Sequence, residues 1–505
     1  MSVFNNLFKS RKLNIPTHPQ RKPRFPEAIS PETLRNIFDG CSDFQFREIS
    51  PGLGGGEKLF VCWLDGITDG GGIADEILRP LTNLMRSGTR PDAERLMSGA
   101  VYSASAQLCA DCDELVFNIC HGHCAVVFPE TGDAVSFELR SKNQRSISEP
   151  TLEKSLKGAK DSFVEVLRTN TALVRQRICN PALKLTSGVI GRKSDTRYAV
   201  FYIDGVADPA VYEELIRRLD DIDIDALLAT GSVEEYIVDK PRCPLPQLLH
   251  TERPDRFARQ LAGGRVGFMV DGLPIAFLLP ADFAEFMRVP QDDSQHYLVA
   301  TALSLVRWFA LVLALVLPAF YVAIAMYHQE MIPTKLLLSV IESKQAVPFS
   351  TALEVLGMLI AFELLQEAGL RLPNPIGDTV SIIGALIVGQ SAVEAKVISP
   401  IAVIVVALAG ISGFALPSQD MSAALRIARF ALVLAAILAG LFGVTALLCL
   451  LLWYICTIDS FGANYTAPLS AGRPGALAKT LLRKPKPDDK LRDETLNTPD
   501  RRRQK

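Results

Sequence analysis

The sequence lacks an excess of charge of either sign. Its 505 residues carry 53 Lys and Arg against 55 Asp and Glu, a formal net charge of -2 at pH 7. That balance excludes a protein organised around nucleic acid, because phosphate contacts need a clear basic surplus. A phosphate loop is missing too: no Lys-Ser or Lys-Thr follows the glycine-rich turns at 52–56 and 70–72 at the required spacing. No His, Cys or Ser recurs beside the turns Asp65-Gly66 and Asp204-Gly205, and no nucleophile–base pair stands out, so the chain does not read as an enzyme. The basic segment 1–26 has no acid and no apolar core run after it, so it does not read as a signal peptide, and residues 1–296 are expected in the cytoplasm.

What is present is unevenly spread. Three stretches, 308–327, 397–419 and 430–458, contain no Asp, Glu, Lys or Arg apart from their flanks. A run of about 20 apolar residues crosses the hydrocarbon core as a helix. The third run is long enough to span with tilt or to protrude. Residues 379–393 and 355–362 are shorter candidates. The tail after 465 is basic again and so reads as cytoplasmic. Both ends inside requires an even number of crossings; four, with one middle segment re-entrant or interfacial, is the expected count.

The charged half repeats itself at an offset of about 140 residues. The run 59–69, closed by Asp65-Gly66, resembles 198–208, closed by Asp204-Gly205; a helix follows each, over 74–81 and 210–219. A second helix (113–119; 256–261) then precedes a hairpin (122–139; 264–279). The hairpin makes each sheet mixed, not all-parallel. The predicted fold is therefore an α/β soluble N-terminal half of two related mixed-sheet subdomains, followed by an α-helical multi-pass membrane domain. The predicted boundaries are a disordered basic segment (1–40), a first subdomain (41–145), a helical linker (146–190), a second subdomain (191–296), a membrane domain (297–465) and a disordered basic tail (466–505).

Ionisable groups inside spans are costly and mark candidate sites. Glu363, Glu367 and Arg371 share one helix face at i, i+4, i+8, which suits an ion pair at an interface or a polar face toward water or a neighbouring subunit. Arg307, at the start of the first span, is expected to snorkel. Val380, Ile383, Ile387, Gln390 and Glu394 form one stripe, apolar at one end and polar at the other. Around an oligomer axis this gives a hydrophobic constriction and a carboxylate ring, a recipe for a cation pore; a packed bundle helix gives the same spacing. Cys109, Cys112, Cys120 and Cys124 have spacings that can hold zinc, yet the second repeat has no equivalent ligands, so buried inert thiols are the main reading. No metal or other cofactor is assigned.

Several ordered motifs resemble the GerA family of spore germination proteins: Thr251-Glu252-Arg253-Pro254-Asp255-Arg256, Val270-Asp271-Gly272-Leu273-Pro274, Glu367-Ala368-Gly369-Leu370-Arg371-Leu372-Pro373, Val397-Ile398-Ser399-Pro400 and Ser460-Phe461-Gly462. The resemblance implies an A subunit of a nutrient germinant receptor in the spore inner membrane. It further implies a homo-oligomer, a pentamer, acting as a nutrient-gated cation channel with a transporter-like B subunit and a lipoprotein C subunit; the basic tails add membrane lipids as expected contacts, and the charge balance leaves no nucleic acid among the partners. A secondary transporter or a non-conducting scaffold is the alternative.

Overall fold

The structure is a computed structural model that describes residues 24–50, 58–87, 91–101, 105–141, 158–228, 230–371, 389–467 and 480–504, with 150, 153 and 469. Two compact units are present: residues 1–145 with 178–184, and residues 146–177 with 185–505.

The first unit holds a five-stranded sheet of β1 (Phe44–Ile49), β2 (Leu59–Leu64), β3 (Ala106–Cys109), β4 (His123–Phe128) and β5 (Asp133–Glu138), in the order β1-β2-β4-β5-β3. Its ladders are antiparallel. The central strands are apolar because both faces are covered. One face packs Leu59, Val61, Val126, Val135 and Phe137 against Ile73, Ile77 and Leu81 of a helical stretch, α2 (70–86). Helix α3 (Cys112–Cys120), capped by Asp111, buries Leu115, Val116 and Ile119. Of the segment 1–40 expected to be disordered, the described residues 24–40 are ordered: α1 (Pro31–Ile37) buries Leu34, and Phe38 stacks on Phe44 at 4.3 Å.

In the second unit the pattern returns. Strands β6 (Leu183–Ile190), β7 (Thr196–Ile203), β8 (Leu249–Thr251), β9 (Val266–Val270) and β10 (Ala276–Leu279) take the order β6-β7-β9-β10-β8, the same permutation as before. Helix α4 (Leu167–Arg177) precedes them; α5 (Pro209–Asp220) and α6 (Pro254–Gly263) follow β7 and β8. Alternation along β7 decides the packing: Tyr198 and Val200 join Val211, Leu215 and Leu219 of α5, while Phe201 meets Phe257 of α6 edge-on at 5.5 Å. The linker expected to be helical over 146–190 is corrected here. Among the described residues of this stretch only α4 is a helix, and 183–190 form β6, where Leu183, Leu185 and Ile190 are buried between more exposed residues. At Gly188 the backbone lies so close to the Tyr198 ring that a Cβ would fall 2.3 Å from it.

The rest of this unit is helical: α7 (Tyr297–Tyr327), α8 (Thr334–Lys344), α9 (Thr351–Arg371), α10 (Pro400–Phe414) and α11 (Gln419–Cys456). Among the described residues, α7 and α11 are long and apolar enough to cross a membrane, and α10 is apolar but shorter. At about 1.5 Å per residue α7 reaches about 46 Å, longer than a hydrocarbon core of about 30 Å. The helices meet through small and branched residues: Ala319, Val322 and Ala323 of α7, Val355 and Leu359 of α9, Ala402 and Val406 of α10, and Leu432, Val433, Ala436 and Val444 of α11.

The run 430–458 is not one continuous helix. Helix α11 breaks at Ala439 and at Gly440, whose φ of 59° and ψ of -141° are open to glycine alone. A Cβ on Gly443 would lie 2.2 Å from Ala435 O, whereas residues eight apart on a straight helix are separated by about 12 Å. The helix therefore doubles back into two limbs. Tyr327, at the end of α7, donates to Ile437 O at 2.5 Å beside this reversal.

The chain after α11 forms a hairpin, β11 (Asp459–Ser460) with β12 (Ala463–Asn464). The tail expected to be disordered is ordered over 480–504. Arg492 Nε donates to Ala262 O at 3.0 Å, Leu496 and Thr498 are buried, and Leu491 bridges to Arg502. Backbone partners, invisible in a basic composition, hold it.

Candidate functional site

Of the predicted stripe, Val380, Ile383 and Ile387 lie outside the described residues. Gln390 and Glu394 are on a short helical turn, both exposed, and Gln390 Nε2 donates to Glu394 Oε1 at 3.1 Å. One residue earlier, Gly389 packs beside Val403 of α10.

Two acids are set into the helical bundle. Glu354, near the start of α9, has a fully buried side chain, and its Oε2 accepts from Ser399 N at 2.8 Å. Ser399 caps α10, so the positive end of that helix faces the carboxylate. Lys344 of α8 stands 3.7 Å from its other oxygen. Glu363, two to three turns along α9, takes a 2.5 Å hydrogen bond from Arg426 of α11, which also donates to Gln366 Oε1 at 3.3 Å. Arg429 lies 4.0 Å away. Glu363 is thus paired across helices; Glu367 also has a partner, and the Arg371 side chain lies outside the described residues. Sequence spacing along α9 could not show Arg426 or Arg429. The signal for them was two arginines at i, i+3 just before an apolar run.

These contacts also order the helices. α9 begins level with the start of α10 and passes Arg426 later, so it runs antiparallel to the first limb of α11. That limb starts at Asp420, which faces His250 of β8 at 3.2 Å, and ends at the α7 terminus.

Where α7 meets the second sheet, a polar network joins them. Arg265, after the left-handed Gly264 that ends α6, pairs with Asp282 and donates to Pro280 O at 2.9 Å and Gln260 Oε1 at 2.5 Å. Gln260 donates to Glu285 Oε1 at 2.5 Å, and Arg288 to Glu285 Oε2 at 3.0 Å. Burial alone would raise the Glu285 carboxyl, but the field of Arg288, Arg265 and Arg259 outweighs it and holds the group below the usual carboxylate range. Arg259 pairs with Asp293, and Asp292 with Arg307 of α7 at 2.5 Å. Arg307, expected to snorkel, has this carboxylate as its partner. Arg483 of the tail donates to Thr301 Oγ1 from its backbone at 3.0 Å, and to Asp293 O and Gln295 O from its guanidinium at 3.1 Å each.

The other end is held as closely. Ser460 Oγ accepts from Ala281 N and donates to Gln247 O, both at 3.0 Å. Phe461 N donates to Asp239 Oδ2 at 2.9 Å, and the Arg218 guanidinium sits 4.3 Å over the Phe461 ring. Tyr465 is buried against Phe283 and Phe286. The Ser460-Phe461-Gly462 motif is thus a dock onto the second sheet.

The four clustered cysteines are buried. Asn118 Nδ2 donates to Cys109 Sγ at 3.6 Å and to Ser136 Oγ at 3.0 Å. Burial pushes the Cys112 thiol up to about 11 and Cys124 well above its usual value, which disfavours the thiolates that ligate zinc. Among the described residues no group of three or more His, Cys, Asp or Glu is placed to hold a metal.

The second sheet is thus fixed to both ends of a helical bundle in which two helices, among the described residues, are long and apolar enough to cross a membrane. The family described as Bacillus/Clostridium GerA spore germination protein matches residues 32–495, so the chain belongs to the GerA family. It is 36% identical to the uncharacterized membrane protein YfkQ of Bacillus subtilis (strain 168), over 90% of this chain and 88% of that one. It is 33% identical to spore germination protein KA of the same organism, over 96% and 90%. Among solved structures it is similar to the N-terminal domain of the A subunit of the Bacillus megaterium spore germinant receptor GerK3, at 28% identity and a TM-score of 0.41, covering 52% of this chain and 99% of that one.

Proposed function

We propose that this chain is the A subunit of a germinant receptor and assembles with copies of itself, as a pentamer, into a nutrient-gated cation channel. The observation that carries this reading is the double attachment of the second sheet: Asp292 to Arg307 at the first membrane helix, and Gln247 and Ala281 to Ser460 after the last. A movement of that sheet then pulls on both ends of the bundle, which is what coupling a sensor to a gate requires. The partners are a transporter-like B subunit that binds the nutrient and a lipoprotein C subunit. The site is the spore inner membrane, with both termini cytoplasmic. Support for an even number of crossings comes from the tail, since Arg492 reaches Ala262 of α6.

Pore lining is assigned to Val380, Ile383, Ile387, Gln390 and Glu394. α9 ends toward the cytoplasmic sheet, whereas α10 starts at the other end beside Glu354. In the sequence the stripe falls between these two helices. The test is conductance of the reconstituted receptor. Glu394→Gln should cut cation over anion selectivity, and Ile387→Ala should raise the closed-state leak. Single-channel steps that neither change affects would overturn the pore assignment. Solute-coupled flux without steps would identify a transporter, and no flux with intact partner binding a scaffold.

A further inference from the structure

The bundle contains orphaned polar atoms that the gating reading does not use. Arg429 is 3% exposed, and its Nε and Nη2, one edge of the guanidinium, have no hydrogen-bond partner among the described residues. Opposite them, Glu363 Oε2 is buried and also without a partner, 4.0 Å from Nη2, too far for a hydrogen bond. Glu363 Oε1 is satisfied by Arg426. The Arg426 and Glu363 side chains are 28% and 34% exposed, so the cluster opens outward there and is closed inward at Arg429.

Unmet buried donors on a charged group are costly, which makes this arrangement hard to explain as packing alone. The Nε and Nη2 edge matches two oxygens of a carboxylate or phosphate in parallel. A bare anion would meet Arg429 but face the free oxygen of Glu363. An oxyanion that also carries a hydroxyl meets all three atoms: its oxygens accept from Arg429 and its hydroxyl donates to Oε2.

We propose that Arg429, Arg426 and Glu363 form a binding site for a hydroxyl-bearing phosphate oxyanion. Two sources share this chemistry: the glycerol-phosphate head of phosphatidylglycerol, and free hydrogen phosphate. The site does not depend on whether the stripe conducts.

The test uses the full chain. In detergent with added lipid, native mass spectrometry compares phosphatidylglycerol, phosphatidylmethanol (same charge, no head hydroxyl) and phosphatidylcholine. Wild type should retain phosphatidylglycerol about tenfold over phosphatidylcholine, and several-fold over phosphatidylmethanol. Arg429→Lys keeps the charge and the fold but loses the fork, and should lower retention about tenfold. Glu363→Met should erase the preference between the two anionic lipids. In a lipid-free arm, inorganic phosphate but not sulfate should raise the unfolding temperature of wild type and leave Arg429→Lys unmoved. Success in one arm names the source. Equal retention of all three lipids together with no phosphate effect, or retention unchanged in Arg429→Lys, would overturn the site.

Discussion

The two sheets share one strand order, yet the corners where a helix turns into the hairpin are built from different chemistry. In the first, Asn118 donates to Ser136 and Cys109, and His123 follows Gly122 with an Nδ1 that is buried and has no hydrogen-bond partner among the described residues. In the second, Gln260 and Arg265 flank Gly264 at matching positions and join Asp282 and Glu285. The glycines are left-handed in both, with φ of 87° and 106°. Topology thus tolerates either a neutral or a charged corner. The charged one is continuous with the segment that leads into α7, so the difference follows attachment to the membrane helices, not the fold.

The sharpest way to break this comparison is to neutralise each corner. Arg265→Met leaves Asp282 and Glu285 buried with fewer partners, and should cost about 3 to 5 kcal/mol. His123→Ala removes a ring whose Nδ1 makes no hydrogen bond and should cost about 1 kcal/mol or less. Thermal unfolding of the full chain in detergent, with protease cleavage within 282–296 as a local readout, measures both. Equal losses would mean that the second corner has no special role.

A smaller effect separates the glycines. Alanine at either is strained by its positive φ, at about 1 kcal/mol. At Gly264 the added Cβ would also fall 2.2 Å from Thr498 Cγ2 of the docked tail, whereas at Gly122 it meets Ile67 O at 3.1 Å. Gly264→Ala should therefore release the tail, read as faster exchange of amides in 491–503. In a chain truncated after residue 479 the same substitution should cost about as much as Gly122→Ala. A cost unchanged by truncation would show that the tail does not press on Gly264.

The strands that were legible from sequence are the central ones. β2, β4, β5, β7, β9 and β10 are apolar runs because both their faces are covered. The edges were not: β1 alternates with Arg47 and Glu48 exposed to view, β8 has three residues, and β6 carries Lys184, Thr186 and Gly188 between its buried positions. The reversal at Ala439-Gly440 was hidden because apolar residues continue on both sides of it. In the candidate sites, spacing along one helix exposed Glu363 and the Gln390–Glu394 pair. Partners 63 residues away, such as Arg426, come from tertiary packing and leave no local period. The Ser460-Phe461-Gly462 motif was visible as a motif, but only its contacts with Gln247, Ala281 and Asp239 show what it attaches to.

The smallest effect expected is a pH dependence confined to the second sheet. Glu234 lies in a short helix (Val233–Ile237) near the first turn of α11. Burial, with the Asp420 charge second, raises its carboxyl from about 4.5 to about 7. A raised acid favours its protonated form in the folded state. The stability it contributes is therefore full below about 4.5, and is lost as pH rises through about 7. Protection of amides in 248–251 and 419–423 against hydrogen exchange, corrected for intrinsic rate, should fall about tenfold between pH 5 and pH 8, less than the full shift implies because Glu234 is partly exposed. Glu234→Gln should hold the low-pH level throughout. A slope that survives Glu234→Gln and disappears in His250→Gln would move the dependence to the His250–Asp420 contact, since those two groups face each other at 3.2 Å across the same junction.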